Sequence, residues 1–209
     1  YGERDIGISK KVIIEFVSAN PTGPLHIGHC RGAVYGDVLS NIMRKQGYKV
    51  FKEYYINDTG SQIDKLTNSV IYRYNELFNK NKKKIDNNLY PGEYLIDLAI
   101  DLKKKYGSKL LENNKKNYLT IKVFSLKWII NLIKNDLNLL GVKFDLFYSE
   151  SDLIKKNKIS ICLDTLKKNK LIYEGIPEKP KGGDLDEWEP RKQSLFKSTN
   201  FGDDADRAL

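Results

Sequence analysis

Lys11-Val12-Ile13-Ile14-Glu15-Phe16-Val17-Ser18-Ala19-Asn20-Pro21-Thr22-Gly23-Pro24-Leu25-His26-Ile27-Gly28-His29 is the stretch on which the reading of this chain turns. Its first seven residues are a short apolar run rich in β-branched side chains, which predicts a buried strand. Two prolines and a glycine then mark a loop from Ser18 to Pro24. From about Gly28 the apolar period becomes helical. Tyr35, Val38, Leu39, Ile42 and Met43 fall at i, i+3, i+4, i+7 and i+8, and Gly47 is placed to end the helix. Lys49 to Ile56 reads as a second strand through Val50, Tyr54 and Ile56. Strand, loop, helix and strand make one βαβ unit, expected to be parallel and right-handed.

Downstream, Asp58 and Thr59 can cap a helix, and Thr59 with Gln62 has the spacing of a capping box. Ile63, Leu66, Val70, Tyr74 and Leu77 form that helix's apolar stripe. Asn79 to Asn88 is Lys/Asn-rich and reads as a solvated loop at the edge of an inserted subdomain. Pro91-Gly92 opens a helix through Leu95, Leu98, Ala99, Leu102 and Tyr106, ended by Gly107. A longer helix covers about Thr120 to Leu140, with Leu126, Ile129, Ile130, Ile133, Leu137 and Leu140 on one face. Val142 to Tyr148 predicts a third strand, followed by one helix from Ser149 to about Asn169. Leu171 to Glu174 and Ser194 to Lys197 are candidates for a hairpin around a Pro/Gly-rich excursion, Gly175 to Arg191. The last twelve residues show no clear element. The expected division is residues 1–78, the first βαβ part; 79–119, a polar and helical insertion; 120–170, a return to the core; and 171–209, a hairpin insertion.

Composition narrows the class. The 209 residues are 40% hydrophobic and 30% charged, enough to build a core. There is no run of 18 apolar residues to span a membrane and no basic-then-apolar leader at Tyr1 to Asp5. Two cysteines, Cys30 and Cys162, cannot build a disulfide framework, and a reducing intracellular compartment is expected. The net charge of +9 comes from 30 Lys and 6 Arg, beside 18 Asn and 21 Ile. That combination looks like AT-rich codon bias, which weakens the charge as a sign of an anionic partner.

The chemistry concentrates at Glu15 to Arg31. The chain's two histidines, His26 and His29, stand three apart where a post-strand loop becomes a helix. Ligands of open parallel sheets bind beyond the carboxyl ends of the strands. A helix N-terminus there offers free N–H groups and partial positive charge, which suits phosphate. Gly28 lets a flat ring or a phosphate approach the backbone. Two imidazoles can donate to phosphate oxygens, most usefully where charge grows in a transition state. A zinc site with Cys30 is the competing chemistry, but neighbours on a helix diverge and a fourth ligand is not spaced nearby. Two functionless surface histidines are the ordinary alternative.

His26-Ile27-Gly28-His29 is the HIGH signature of class I aminoacyl-tRNA synthetases, and its flank from Phe16 to Leu25 closely resembles arginyl-tRNA synthetase. Arg31-Gly32-Ala33, Tyr54-Tyr55-Ile56-Asn57-Asp58-Thr59-Gly60, and Trp188-Glu189-Pro190-Arg191 through Gly202-Asp203-Asp204 extend the likeness. The resemblance implies an α/β fold, a Rossmann-like parallel sheet with helical insertions and a small β-hairpin excursion. It implies arginine activation by ATP with Mg2+ and transfer to tRNA(Arg), with no protein-bound metal, in a monomeric, cytoplasmic parent. By motif position, His26 and His29 would contact the ATP phosphates and stabilise the α-phosphate transition state. Gly28 would admit adenine. Glu15 would pair with the substrate guanidinium and Asn20 with its amino-acid end. An edge-facing or salt-bridged strand residue is the ordinary alternative for Glu15, but a carboxylate inside Val-Ile-Ile-Glu-Phe-Val reads as a buried charge wanting a cation. Asp58 is accounted for by helix capping and is not placed among the site residues. The family's second signature, a Lys-Met-Ser-Lys-Ser-like loop, does not occur here, and Lys197-Ser198-Thr199 is not in its context. These residues alone are therefore expected to be inactive as the N-terminal part of a catalytic domain. Another HIGH-type nucleotidyltransferase, or a non-catalytic binding relative, is the alternative.

Overall fold

The computed structural model describes residues 2–79, 87–177 and 191–209. Two compact units divide between Asp152 and Leu153. In the first, strands β1 (Lys11–Glu15), β2 (Lys49–Ile56) and β3 (Leu146–Ser149) form a parallel sheet in the order β1-β2-β3. Helix α1 (Ile27–Lys45) connects β1 to β2, and α2 (Ser61–Glu76), α3 (Tyr94–Tyr106) and α4 (Lys115–Leu139) lie between β2 and β3. The α/β class and the parallel sheet agree with the sequence reading.

β2 has the predicted bounds because strict alternation buries Val50, Lys52, Tyr54 and Ile56 on one face. Gly47, at φ 85°, reverses the chain just before it. β1 differs from expectation. It is an edge strand with alternating exposure, and Ile13 is 67% exposed, so the β-branched run is a half-buried strand. α1 differs more. The stripe of Tyr35, Val38, Leu39 and Ile42 faces outward, and Tyr35 is 74% exposed. The face against the protein carries Ala33, Gly36 and Ser40. Small residues permit the close approach: a Cβ on Gly36 would lie 2.2 Å from Cγ of Phe16.

Paired polar groups, of which Lys52 is buried, lock this helix to the sheet. Lys52, 4% exposed, forms an ion pair with Asp37. Asp145 accepts the Lys52 backbone N–H at 2.8 Å and an Arg44 guanidinium N–H at 3.1 Å. Buried charge survives there because it is paired.

The core gathers Leu66, Val70 and Tyr74 of α2, Leu95, Leu98 and Leu102 of α3, and Ile121, Ile129, Ile133 and Leu137 of α4. Residues 79–119, read as an insertion, thus supply α3 to the packing against α2 and α4. α4 starts earlier than expected because Asn114 caps it, accepting the Asn117 N–H at 2.9 Å. The polar loop expected at Asn79 to Asn88 falls largely outside the described residues. Phe144 and Phe147 close the sheet end against Phe16 and Tyr54.

The expected helix from Ser149 to Asn169 is two: α5 (Glu150–Lys155) and α6 (Lys158–Lys168), separated at Asn157, whose φ is 54°. A non-glycine residue in the left-handed region ends one helix and starts another. In the second unit β4 (Ile172–Gly175) pairs antiparallel with β5 (Gln193–Phe196), as predicted for a hairpin. The tail read as featureless supplies a 3-10 turn (Ser198–Phe201) and a third strand, β6 (Arg207–Ala208), on β5. Arg207 binds both Asp203 and Asp204, which explains how this short polar end is held. Of the excursion from Gly175 to Arg191, residues 178–190, including Trp188, Glu189 and Pro190, lie outside the described residues.

Candidate functional site at the carboxyl end of the sheet

The loop from β1 to α1 passes over the carboxyl ends of β1 and β2, and its backbone is strained at the start. Val17 has φ 66° and Ser18 φ 39°. A β-branched residue in this region is an outlier that persists only where its surroundings over-determine it. They do so here. The Ser18 hydroxyl accepts the Tyr55 N–H at 3.0 Å, and the Tyr54 hydroxyl donates to the Ala19 carbonyl at 2.9 Å. The Tyr94 hydroxyl of α3 donates to the Thr22 carbonyl at 2.5 Å, and Asn20 Nδ2 donates to Gln62 Oε1 of α2 at 2.9 Å. Burial pushes the Tyr54 and Tyr94 hydroxyls up to about 12, so both stay protonated donors.

His26 and His29 close the loop onto α1. His26 is the N-cap: its Nδ1 accepts the Gly28 N–H at 3.1 Å. His29, at the third helical position, returns the contact, and its Nδ1 accepts the His26 N–H at 3.2 Å. The rings stack with centroids 3.7 Å apart. This is a capping box built from two imidazoles in place of a hydroxyl and a carboxylate. An Nδ1 that accepts a hydrogen bond carries no proton, so each neutral ring keeps its N–H at Nε2. Burial, and then the field of His26, hold His29 below the usual histidine range.

Acceptors gather at the neighbouring strand ends. Glu15 ends β1, and Tyr55 near the end of β2 is within its field. Burial raises the Tyr55 phenol, and the Glu150 carboxylate that accepts its hydroxyl raises it further. Glu150 also accepts the Thr59 hydroxyl. Asp58 accepts from Ser149 Oγ at 2.7 Å and from the Ser151 N–H at 2.8 Å. Burial alone would raise Asp58, but these bonds outweigh it and hold the carboxyl below its ordinary range.

Two expectations change on this geometry. Glu15 is not a buried charge seeking a cation: alternation on an edge strand leaves it exposed, and it forms no ion pair among the described residues. The capping box at Thr59 and Gln62 does not form. α2 is capped by the Gly60 backbone, at φ 82°, while Thr59 serves Glu150 and Gln62 serves Asn20. Asp58 likewise caps the first turn of α5 and not α2. Glu15, Asn20, His26, Gly28 and His29 all belong to this one strand–loop–helix passage, as the sequence suggested. The sequence does not reveal Tyr54, Gln62 and Tyr94 as its supports. Among the described residues, groups of three or more His, Cys, Asp or Glu side chains that could hold a metal are absent.

The comparisons follow the same outline. The family model for class I (R) tRNA synthetases, catalytic domain, matches residues 2–188. An arginine–tRNA ligase of Anaplasma phagocytophilum is 58% identical over 100% of this chain and 36% of its own length. One from Wolbachia pipientis wMel is 54% identical with the same coverage. A solved structure from Campylobacter jejuni, described as an arginyl tRNA synthetase, superposes with TM-score 0.78 at 32% identity, over all of this chain and 42% of that one. The chain spans about a third of the length of the curated relatives it matches. With the family model matching most of its length, and relatives above half identity across all of it, the chain belongs to the class I arginine tRNA synthetase family, within the catalytic domain.

Proposed function

We propose that this chain is the ATP- and arginine-binding part of an arginine–tRNA ligase, in a monomeric cytoplasmic parent. The reaction runs in two steps. An oxygen of the arginine carboxylate attacks the α-phosphorus of ATP, the bond to the bridging oxygen breaks, and pyrophosphate leaves. A ribose hydroxyl of the terminal adenosine of tRNA(Arg) then attacks the adenylate carbonyl, and AMP leaves. Mg2+ enters bound to ATP.

The observation that carries this reading is the reciprocal histidine cap. It fixes both rings with Nε2–H as the free donor, beside a helix N-terminus whose dipole favours anions. Donors held before the reaction stabilise the charge that grows on a pentacoordinate phosphate without reorganising. Gly28, between the two histidines in sequence, admits a base close to the backbone. Glu15 supplies the carboxylate for a guanidinium, a pairing that Arg geometry favours in bidentate form. Asn20 addresses the amino-acid end. Among the described residues no helix is long and apolar enough to cross a membrane.

The deciding measurement is ATP–pyrophosphate exchange by a polypeptide carrying this sequence at the full length of its relatives. With tRNA present, exchange should depend on arginine and not on lysine or ornithine. Exchange with another amino acid, or none with arginine, would refute the assignment.

A further inference from the structure

Asn20 is exposed and its side chain has two different ends. Nδ2 donates to Gln62 Oε1 at 2.9 Å, and Oδ1 has no hydrogen-bond partner among the described residues. Turned the other way, Asn20 would present a donor where it now presents an acceptor. Its backbone is fixed by the strained turn before it and by the Thr22 N–H, which donates to the Asn20 carbonyl at 2.7 Å. The side chain is fixed by Gln62 alone. Gln62 is itself set by the start of α2, where the Ile63 and Asp64 N–H groups close the first turn on the Gly60 carbonyl. Because Gly60 caps this helix by backbone alone, the Gln62 amide is not spent on the cap and reaches across to the loop.

We infer that Gln62 is a positioning residue for the amino-acid substrate: by accepting from Asn20 Nδ2 it turns Asn20 Oδ1 outward as an acceptor for the substrate's α-ammonium group. This rests on the function proposed above. An acceptor suits that place because an amino acid brings three N–H donors on its ammonium group. Glu15, the last residue of β1 before the same loop, is left to the guanidinium. Gln62 touches neither substrate nor the reacting atoms and acts through Asn20.

The test uses the same full-length polypeptide in arginine-dependent exchange. Gln62→Ala should raise the arginine KM by about tenfold, with kcat and the ATP KM within about twofold. That change corresponds to roughly 1.4 kcal/mol, near the lower bound for a hydrogen bond to a charged group. Gln62→Glu, which can only accept, should bring the arginine KM back to within about threefold of the parent. The second readout is inhibition by 5-guanidinopentanoate, the arginine skeleton without its α-amino group. Its Ki should be the same for the parent and for Gln62→Ala, because the interaction that Gln62 supports is missing from that ligand. If Gln62→Ala weakens arginine and the analogue equally, Gln62 is a structural support only and the inference is wrong. An unchanged arginine KM in Gln62→Ala also overturns it, while arginine-dependent exchange by the parent would leave the proposed function standing. If the parent itself shows no arginine-dependent exchange, the function fails and takes the inference with it.

Discussion

His26 and His29 close the start of α1 together: His26 Nδ1 accepts the Gly28 N–H, His29 Nδ1 accepts the N–H of His26 itself, and the two rings stack. The helix start and the proposed phosphate contacts therefore draw on opposite nitrogens of the same rings. A substitution can separate them. His26→Asn keeps an N-cap acceptor and discards Nε2–H. It should lower kcat for adenylate formation by roughly 10²- to 10³-fold, with arginine KM little changed and the urea midpoint near the parent's. His26→Ala should show the same catalytic loss and also about 1 kcal/mol of destabilisation. Exchange kinetics and urea unfolding on the two variants check both halves. A large loss of arginine affinity with turnover intact would contradict the assigned role.

His29 makes stability depend on pH. Its folded pKa lies below the ordinary 6.5, because burial and the field of His26 both disfavour the charged ring. The unfolded chain then binds more protons at acid pH, so stability rises with pH. The His29 contribution is fully present above 6.5 and is lost as pH falls below that value and through the folded pKa. Protonation would also put a hydrogen on the Nδ1 that accepts the His26 N–H. Urea unfolding at pH values from about 5 to 8 should show this slope. His29→Gln, which can still return the capping bond, should flatten it. A slope unchanged in His29→Gln would assign the effect to other groups.

Gly36→Ala tests the contact between α1 and the strand end. The new methyl group would lie 2.2 Å from Cγ of Phe16, and Phe16 packs on Phe144 with ring centroids 4.4 Å apart. The helix or the ring must move, at a cost of about 1–3 kcal/mol in urea unfolding. A neutral or stabilising result, which better helix propensity alone would give, would show that α1 does not lie this close.

Tyr54→Phe removes the hydroxyl that holds the Ala19 carbonyl. Both residues are buried, so the carbonyl is left without its donor and about 1–2 kcal/mol should be lost. Because the ring still fills its place between Phe144 and Phe147, the loss reports the hydrogen bond and not a cavity. A variant as stable as the parent would mean that the strained turn does not rely on this tie.

The sequence was informative where the signal is local. β2 could be bounded because alternation is confined between Gly47 and Asn57, and the histidine pair could be found because its spacing is three residues. Orientation was less accessible. A helical period reports that α1 is two-faced, but not that Ala33, Gly36 and Ser40 would be the face against the sheet. The break at Asn157 is hidden in Lys155-Lys156-Asn157-Lys158, which contains neither Gly nor Pro. The supports of the loop were illegible for a different reason. Gln62 is 42 residues from Asn20, Tyr94 is 72 from Thr22 and Tyr54 is 35 from Ala19. These pairings exist only once α2, α3 and β2 have packed. Two readings of Glu15, edge-facing or buried, stay open in the sequence because an apolar run looks the same on a central strand as on an edge.

The outward stripe of α1 also governs how these residues behave as a solute. Ile27, Val34, Tyr35, Val38 and Ile42 lie along one side of a single helix and are each at least 48% exposed. Contiguous apolar surface of this kind promotes association where scattered exposed residues do not. Excluded salts such as ammonium sulphate strengthen that tendency, since they raise the cost of wetting apolar area. The lysine-rich remainder opposes it by mutual repulsion, which salt screens. Raising ionic strength therefore removes the repulsion and deepens the attraction together, so the colloidal stability of this polypeptide should fall steeply with added sulphate while its folding stability rises.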